Sequence, residues 1–508
     1  MVGEDDRPEE ASRERNGNDG TPPTDDLVTT THTMRLGSRS LDYHATAGRM
    51  VISEEVISEG TFKGRMPTAE VFVTAYTADG ADPLTRPVVF AFNGGPGSSS
   101  VWLHLGLFGP RRVDSGDVDN RTPPPYGLLD NAESLLAHAD IVFIDPITTG
   151  YSRAVVGGAP ADFHGFSGDR DLVGETIRLW LTRNERWLSP KFLAGESYGT
   201  TRAAALAGYL ATRHGMAMNG IILISAVLDF GSIRFYEGND APYVNFLPTY
   251  AAIAHYHGKH EGRTLREVVA DAEAFAEGEY AHALSRGTRL SRDERRELAT
   301  RVAELIGLDA DYVFRSNLRI EHKHFFAELL RDRELMTGRL DARFTAHPGD
   351  LELAEQDQDP AHFVIFFPYT AAVNHYLRAE LKYESDFTYE ILTDRVQPWS
   401  YKEFENRYVV SADALSSAMR MNPDLKVYVA FGYYDAATPF AAAEYVLAHL
   451  RVPDEAHGNI VRRYYEAGHM MYLHEPSRVR QSADIAEFIT WATGGEAPAL
   501  EAGREGQP

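Results

Sequence analysis

The 508-residue chain contains no cysteine. Disulfides, thiolate nucleophiles, Cys-ligated zinc and iron–sulfur clusters are thereby excluded. Positive charge is scarce too: 50 Lys and Arg stand against 74 Asp and Glu, for a net charge of −24. Nucleic-acid binding needs a basic footprint that releases counterions, so neither nucleic acid nor an anionic membrane surface is an expected partner. No run approaches the ~18–20 apolar residues that span a bilayer. The first 26 residues carry nine acidic and three basic side chains and no apolar run. A signal peptide needs a basic start and an apolar stretch behind it. As it stands the chain reads as cytoplasmic, or as secreted if a leader was removed, with residues 1–30 a disordered acidic tail and residues 494–508 a second loose tail. No internal repeat breaks the remainder.

What is present is the composition of a globular protein, with 43% hydrophobic, 24% charged and 11% aromatic residues. The length suits two or three units, or one large α/β domain carrying an insertion. Short β-like runs between Met34 and Thr77 precede four continuous apolar runs: Arg86–Phe92, Ile141–Ile144, Phe192–Ala194 and Ile221–Ile224. Continuous rather than alternating apolar strands are expected where both faces of a parallel sheet are covered. After Phe230 the character changes to charged helix formers, as in Arg263–Phe275 and Arg292–Ile306. Strand–helix alternation resumes with Lys426–Phe431, a helix opened by Thr438 as N-cap and Pro439 at its first position, the strand Ile460–Tyr465 and a helix over Ser477–Thr493. The expected architecture is therefore a mainly parallel α/β core, residues 31–230 and 424–493, split by a largely helical cap insertion at 231–423.

Gly195-Glu196-Ser197-Tyr198-Gly199 has the G-x-S-x-G form of a nucleophile elbow, with a strand before it and a helix after it. A serine hydroxyl needs a base to take its proton, and the acid and base should follow at the ends of later strands. Asp435 follows the strand ending at Gly432, and His469 follows the last strand. Ser197, Asp435 and His469 are the candidate triad. An oxyanion hole needs backbone N–H groups: Tyr198, after the nucleophile, should supply one and Gly95, in the turn after an early strand, the other. This chemistry calls for no metal or cofactor.

Asn93-Gly94-Gly95-Pro96-Gly97-Ser98-Ser99-Ser100, Gly195-Glu196-Ser197-Tyr198-Gly199 and Ala467-Gly468-His469-Met470 together resemble the serine carboxypeptidase family. So do Ile144-Asp145-Pro146, Gly150-Tyr151-Ser152 and Gly109-Pro110; the likeness covers roughly residues 85–230 and 425–480. It implies an α/β-hydrolase fold, peptides with a free C-terminus as substrate, and release of single C-terminal residues at mildly acidic pH. An acyltransferase or esterase using the same triad is the alternative. The resemblance also implies that Asn93, Gly94 and Glu196 hold the substrate's terminal carboxylate. For Glu196 that requires protonation, since two carboxylates at hydrogen-bonding distance repel. The chain departs from the family pattern at Ser98, where eukaryotic members carry cysteine, at Leu107 in place of a glutamate, and at Tyr472 in place of a proline.

Other clusters read more plainly. His255, His257 and His260 form a weak candidate metal site, more often a set of exposed cap residues. Glu321-His322-Lys323-His324 reads as a solvated helix face, and the aromatic-rich Tyr243–Tyr256 and Phe363–Tyr376 as cap core or pocket lining. Monomer and homodimer both stay open.

Overall fold

The computed structural model describes residues 22–118, 120–356 and 358–499. The expected tails therefore fall mostly outside the described residues, at 1–21 and 500–508. Residues 26–30 are an exception, because they open a strand rather than ending a tail. The reason is local: Val28 to Met34 is rich in β-branched threonine and alternates between exposed and partly buried positions. Acidic composition ends at Asp26, and β pattern begins there.

The strands are β1 (Asp26–Leu36), β2 (Arg39–Ser58), β3 (Thr61–Ala78), β4 (Val88–Phe92), β5 (Asp140–Ile144), β6 (Lys191–Glu196), β7 (Gly220–Ile224), β8 (Lys426–Gly432) and β9 (Ile460–Tyr465). They form one sheet in the order β1-β2-β3-β5-β4-β6-β7-β8-β9, and the two-residue strand Arg153–Ala154 adds to β3. From β5 to β9 every pairing is parallel, while β1, β2, β3 and β5 pair antiparallel. Every residue of β4, β5, β6 and β7 is buried. That accounts for their unbroken apolar runs, since a side chain on either face meets a covering layer.

The principal helices are α1 (Phe166–Arg183), α2 (Tyr198–His214), α3 (Ala241–Tyr256), α4 (Leu265–Phe275), α5 (Arg292–Ile306), α6 (His322–Glu328), α7 (Pro360–Ala379), α8 (Ala412–Met421), α9 (Phe440–Ala448) and α10 (Glu475–Ala492). One face of the sheet (Val88, Phe90, Leu193, Leu223) packs with α1, α2 and α3 in a single apolar cluster. The other face (Val89, Ala91, Ala194, Ile222) packs with α10 and α7. Alternate strand residues thus feed two different layers.

The segment expected as a cap departs from that description in two ways. After α7, residues 380–411 contain only one short helical turn, Lys402–Phe404, and run back across the core. Isolated bridges pin this stretch at Ser98–Leu392, Gly150–Glu390, Gly165–Ser400 and Asp229–Val410. Helix α8, which composition places in the insertion, packs against α2 of the core. The inserted segment is sewn into the core, not perched on it. No helix among the described residues is long and apolar enough to cross a membrane.

Candidate active site

Ser197 sits between β6 and α2 with φ 59° and ψ −128°. A non-glycine residue at positive φ carries strain that its surroundings must hold in place. Here the Ser197 N–H donates to the Ile224 carbonyl at 3.0 Å. The neighbouring glycines give the turn its room: a Cβ on Gly195 would lie 2.1 Å from the Gly199 oxygen. β6 pairs with β4 so that Gly195 faces Phe92. Asn93 and Glu196 consequently leave the sheet side by side.

Asp435 and His469 lie past the ends of β8 and β9, neighbours in the sheet. Asp435 Oδ2 accepts from His469 Nδ1 at 2.8 Å and from the Thr438 hydroxyl at 2.7 Å. Its Oδ1 accepts from the N–H groups of Ala437 and Thr438 at 2.9 and 3.0 Å. The carboxylate is fully buried and His469 is 4% exposed. Burial alone would push the Asp435 carboxyl up, but the His469 charge, its hydrogen bond and the Thr438 donors hold it below its ordinary value. Burial likewise opposes a charged His469, yet Asp435 and then Glu196 lift its pKa above the usual imidazole value. With Nδ1 committed to Asp435, Nε2 is the nitrogen left for chemistry. Thr438 is a correction to the sequence reading. Pro439, not Thr438, is the N-cap of α9, and the Thr438 hydroxyl instead closes over Asp435.

The nucleophile and base loops share one support. Ile224 accepts the Ser197 N–H, and the next residue, Ser225, donates its hydroxyl to the His469 carbonyl at 2.6 Å. In front of Ser197 lies a cavity of about 350 Å³, whose wall includes Gly95, Tyr198 and Thr438. Among the described residues neither the Gly95 nor the Tyr198 N–H has a hydrogen-bond acceptor. Gly94 is pressed into the elbow, where a Cβ would lie 2.5 Å from the Tyr198 nitrogen and 2.9 Å from Ser197 Cβ. Only glycine allows the two loops to close so tightly.

Glu196 and Asn93 lie behind this wall, buried. Asn93 Nδ2 donates to Glu196 Oε1 at 2.9 Å, and Asn93 Oδ1 accepts the Leu103 N–H at 3.0 Å. Burial raises the Glu196 pKa to about 7, and Asp435 adds to the rise against the His469 charge and the Tyr472 and Asn93 hydrogen bonds. The second oxygen, Oε2, accepts from the Tyr472 hydroxyl at 2.7 Å. Leu107, at the position of the family's glutamate, is buried in the apolar core and offers no polar atom. Tyr472, at the position of the family's proline, lays its ring against the neighbouring Gly106 and brings its hydroxyl to Glu196. Of these two departures, it is Tyr472 that the structure brings to the Glu196 carboxyl. Behind them Arg202 on α2 donates to the Asn93 carbonyl at 2.6 Å and pairs with Asp169 on α1 at 2.7 Å, wholly buried.

The remaining sequence candidates resolve differently. His255, His257 and His260 each place Nε2 on a backbone carbonyl, of Arg263, Ala342 and Leu305 respectively, at 2.8–2.9 Å. Among the described residues no cluster of His, Cys, Asp or Glu is placed to hold a metal ion. The Glu321–His324 stretch is not simply a solvated face, because His322 lines the cavity and stacks on Phe235 and Phe246. A charged run with alternating histidines gives no sign of that.

A model of the serine carboxypeptidase family matches residues 65–475, well over half of the chain. The chain belongs to the serine carboxypeptidase family. Its mainly parallel sheet with Ser197 on a strand–turn–helix elbow is the α/β-hydrolase fold. Among curated proteins it is similar to serine carboxypeptidase-like 16 of Arabidopsis thaliana, 30% identical over 118 residues. That stretch is 23% of this chain, and the chain spans about a quarter, 26%, of the relative's length. Among solved structures it is similar to a proline iminopeptidase of Mycobacterium smegmatis, at 12% identity and TM-score 0.36, covering 91% of this chain and 99% of that one. It is also similar to the juvenile hormone epoxide hydrolase of the silkworm Bombyx mori, at 11% identity and TM-score 0.36, covering 89% and 79% of the two chains.

Proposed function

We propose that this protein is a serine carboxypeptidase that releases C-terminal residues from peptides through an acyl-enzyme. The observation that carries the reading is the buried Asp435–His469 hydrogen bond beside a cavity that opens on Ser197 and two free backbone N–H groups. In this mechanism His469 Nε2 takes the Ser197 proton as Oγ attacks the scissile carbonyl. The oxyanion that forms is met by the N–H groups of Gly95 and Tyr198. The protonated imidazole then gives its proton to the leaving amine, and water, activated by the same imidazole, releases the acyl group. Asp435 fixes the tautomer and stabilises the imidazolium.

Recognition of the chain end falls to Asn93, Gly94 and Glu196. With a pKa of about 7, Glu196 is protonated below neutrality and can donate to a substrate carboxylate. This supports action at mildly acidic pH. The test pairs a serine-directed fluorophosphonate with a blocked dipeptide and a small ester. Labelling at Ser197 with dipeptide cleavage is expected. Labelling with ester turnover but no peptide cleavage would replace the reading by an acyltransferase or esterase.

A further inference from the structure

The cavity in front of Ser197 has a second wall, drawn from the inserted segment, that the mechanism above does not use. Arg234 and Arg339 are part of it. Arg339 belongs to an irregular stretch threaded between the two catalytic loops. Its carbonyl accepts the Ala436 N–H at 3.1 Å, and the carbonyl of Leu340 accepts the His469 N–H at 2.6 Å. The N–H groups of Arg339 and Leu340 donate to the two oxygens of Asp359, each at 3.1 Å. The backbone under Arg339 is therefore fixed on both sides of the candidate triad.

Its guanidinium is not. Among the described residues the side chains of Arg339 and Arg234 have no ion pair and no hydrogen-bond acceptor; Arg234 only stacks over Phe230 at 5.4 Å. Of the other charged groups on this cavity, Lys323 pairs with Glu355 at 3.6 Å, and Glu321 is the remaining carboxylate. The His322 ring on the same cavity has a buried Nδ1 without a partner. Burial pushes its pKa down to about 4, with Arg339, Lys323 and Arg234 adding to the effect, so it stands neutral in a positive field. In a chain of net charge −24, two unpaired guanidinium groups on the cavity that opens on Ser197 run against the background. A planar fork of unpaired donors on that cavity suits a carboxylate.

We propose that Arg339, assisted by Arg234, receives the side-chain carboxylate of an acidic residue next to the scissile bond, so that Glu- or Asp-containing peptides are the preferred substrate class. The inference rests on the carboxypeptidase reading for the leaving group, while an acidic acyl group in an ester meets the same arginines. A charge-assisted hydrogen bond predicts a roughly ten- to hundredfold preference for Glu over Gln in kcat/KM.

The experiment compares matched blocked dipeptides with Glu or Gln on either side of the scissile bond, their C-terminal amides, and glutaryl and butyryl esters. Each is measured with the unaltered protein, Arg339→Gln and Arg339→Lys. The Glu:Gln ratio should collapse toward one in Arg339→Gln and survive in part in Arg339→Lys. A ratio near one in the unaltered protein, or one untouched by Arg339→Gln, overturns the proposal while leaving the carboxypeptidase reading in place. Loss in Arg339→Gln of discrimination between free acid and amide also overturns it, by assigning the guanidinium to the chain end. Uncut dipeptides with an Arg339-dependent preference for the glutaryl ester would sink the carboxypeptidase reading and keep the acidic-group site. Uncut dipeptides with no such ester preference would remove both.

Discussion

The core and the inserted segment place their side chains by different means. In the core, each group around Ser197 is set by a strand end: Asn93 after β4, Glu196 as the last residue of β6 and Ser197 just after it, Asp435 after β8 and His469 after β9. Strand register alone brings Asn93 beside Glu196. In the inserted segment, Arg339 is held by carboxylate-to-backbone bonds from Asp359 and by the catalytic loops themselves. Both regions bury charge, the core in Arg202–Asp169 and Arg186–Asp140 and the inserted segment in Arg343–Asp341. The inserted segment also carries exposed pairs, such as Arg296–Asp311 at 43% and 65%. Sheet geometry places the candidate triad, and an irregular, re-threaded segment supplies a second wall of the cavity in front of it.

The sharpest way to break this comparison is to delete one side chain from each region. Ser197→Ala should lower kcat by roughly 10⁵–10⁶ with the fold unchanged, because the triad acts as a unit. Asp435→Asn should cost roughly 10⁴, as the tautomer of His469 is no longer enforced. Arg339→Gln, from the inserted segment, should re-sort substrates without losses on that scale. Steady-state kinetics on a blocked dipeptide decide the matter; more than a few per cent of activity left in Ser197→Ala would refute the assignment of nucleophile.

Stability gives the second contrast. Asp169→Ala strands a fully buried Arg202 charge and should cost about 3–5 kcal/mol, a large share of a typical folding free energy. Asp311→Ala, at an exposed pair in the inserted segment, should cost less than about 1 kcal/mol. Denaturant unfolding measures both. Equal losses would mean that the core pair is compensated in some other way.

The same division governs what the sequence makes legible. The core strands are readable because burial on both faces leaves continuous apolar runs, and each expected run from Arg86–Phe92 to Ile460–Tyr465 overlaps an observed strand. β2 and β3 are far longer than their interrupted pattern suggests, at 20 and 18 residues, because they form a hairpin whose outer part is exposed. The placement of Asp435 and His469 is readable from strand ends. Thr438 looks like a helix cap and serves Asp435 instead, since Pro439 moves the cap by one position. Tyr472 stands out in the sequence only as a missing proline; its bond to Glu196 depends on three-dimensional closure over Gly106. Arg339 carries no signal at all, for its position follows from threading rather than periodicity.

The last expected effect concerns Glu196, where the core's electrostatics and substrate recognition meet. In the mechanism proposed above, a neutral Glu196 binds the chain end and a neutral His469 acts as base, so the productive form holds one proton on the pair, on the carboxyl side. The Glu196 charge raises the His469 pKa, and the His469 charge lowers that of Glu196, so the two titrate together. As pH climbs through about 7, Glu196 ionises and KM should rise, approaching about tenfold per pH unit as the competent fraction falls. As pH falls, His469 takes a proton and kcat drops. Glu196→Gln keeps a donor and removes the charge, so it should flatten the rise in KM and move the acid limb of kcat to lower pH. Tyr472→Phe removes a donor that favours ionised Glu196, so the carboxyl should stay protonated to higher pH and the rise in KM should begin later, a change of a few-fold at most. Profiles of kcat and KM against pH for the three proteins separate these limbs. If Glu196→Gln moves neither, Glu196 only braces the Asn93 turn, and recognition of the chain end must be sought on the arginine side of the cavity.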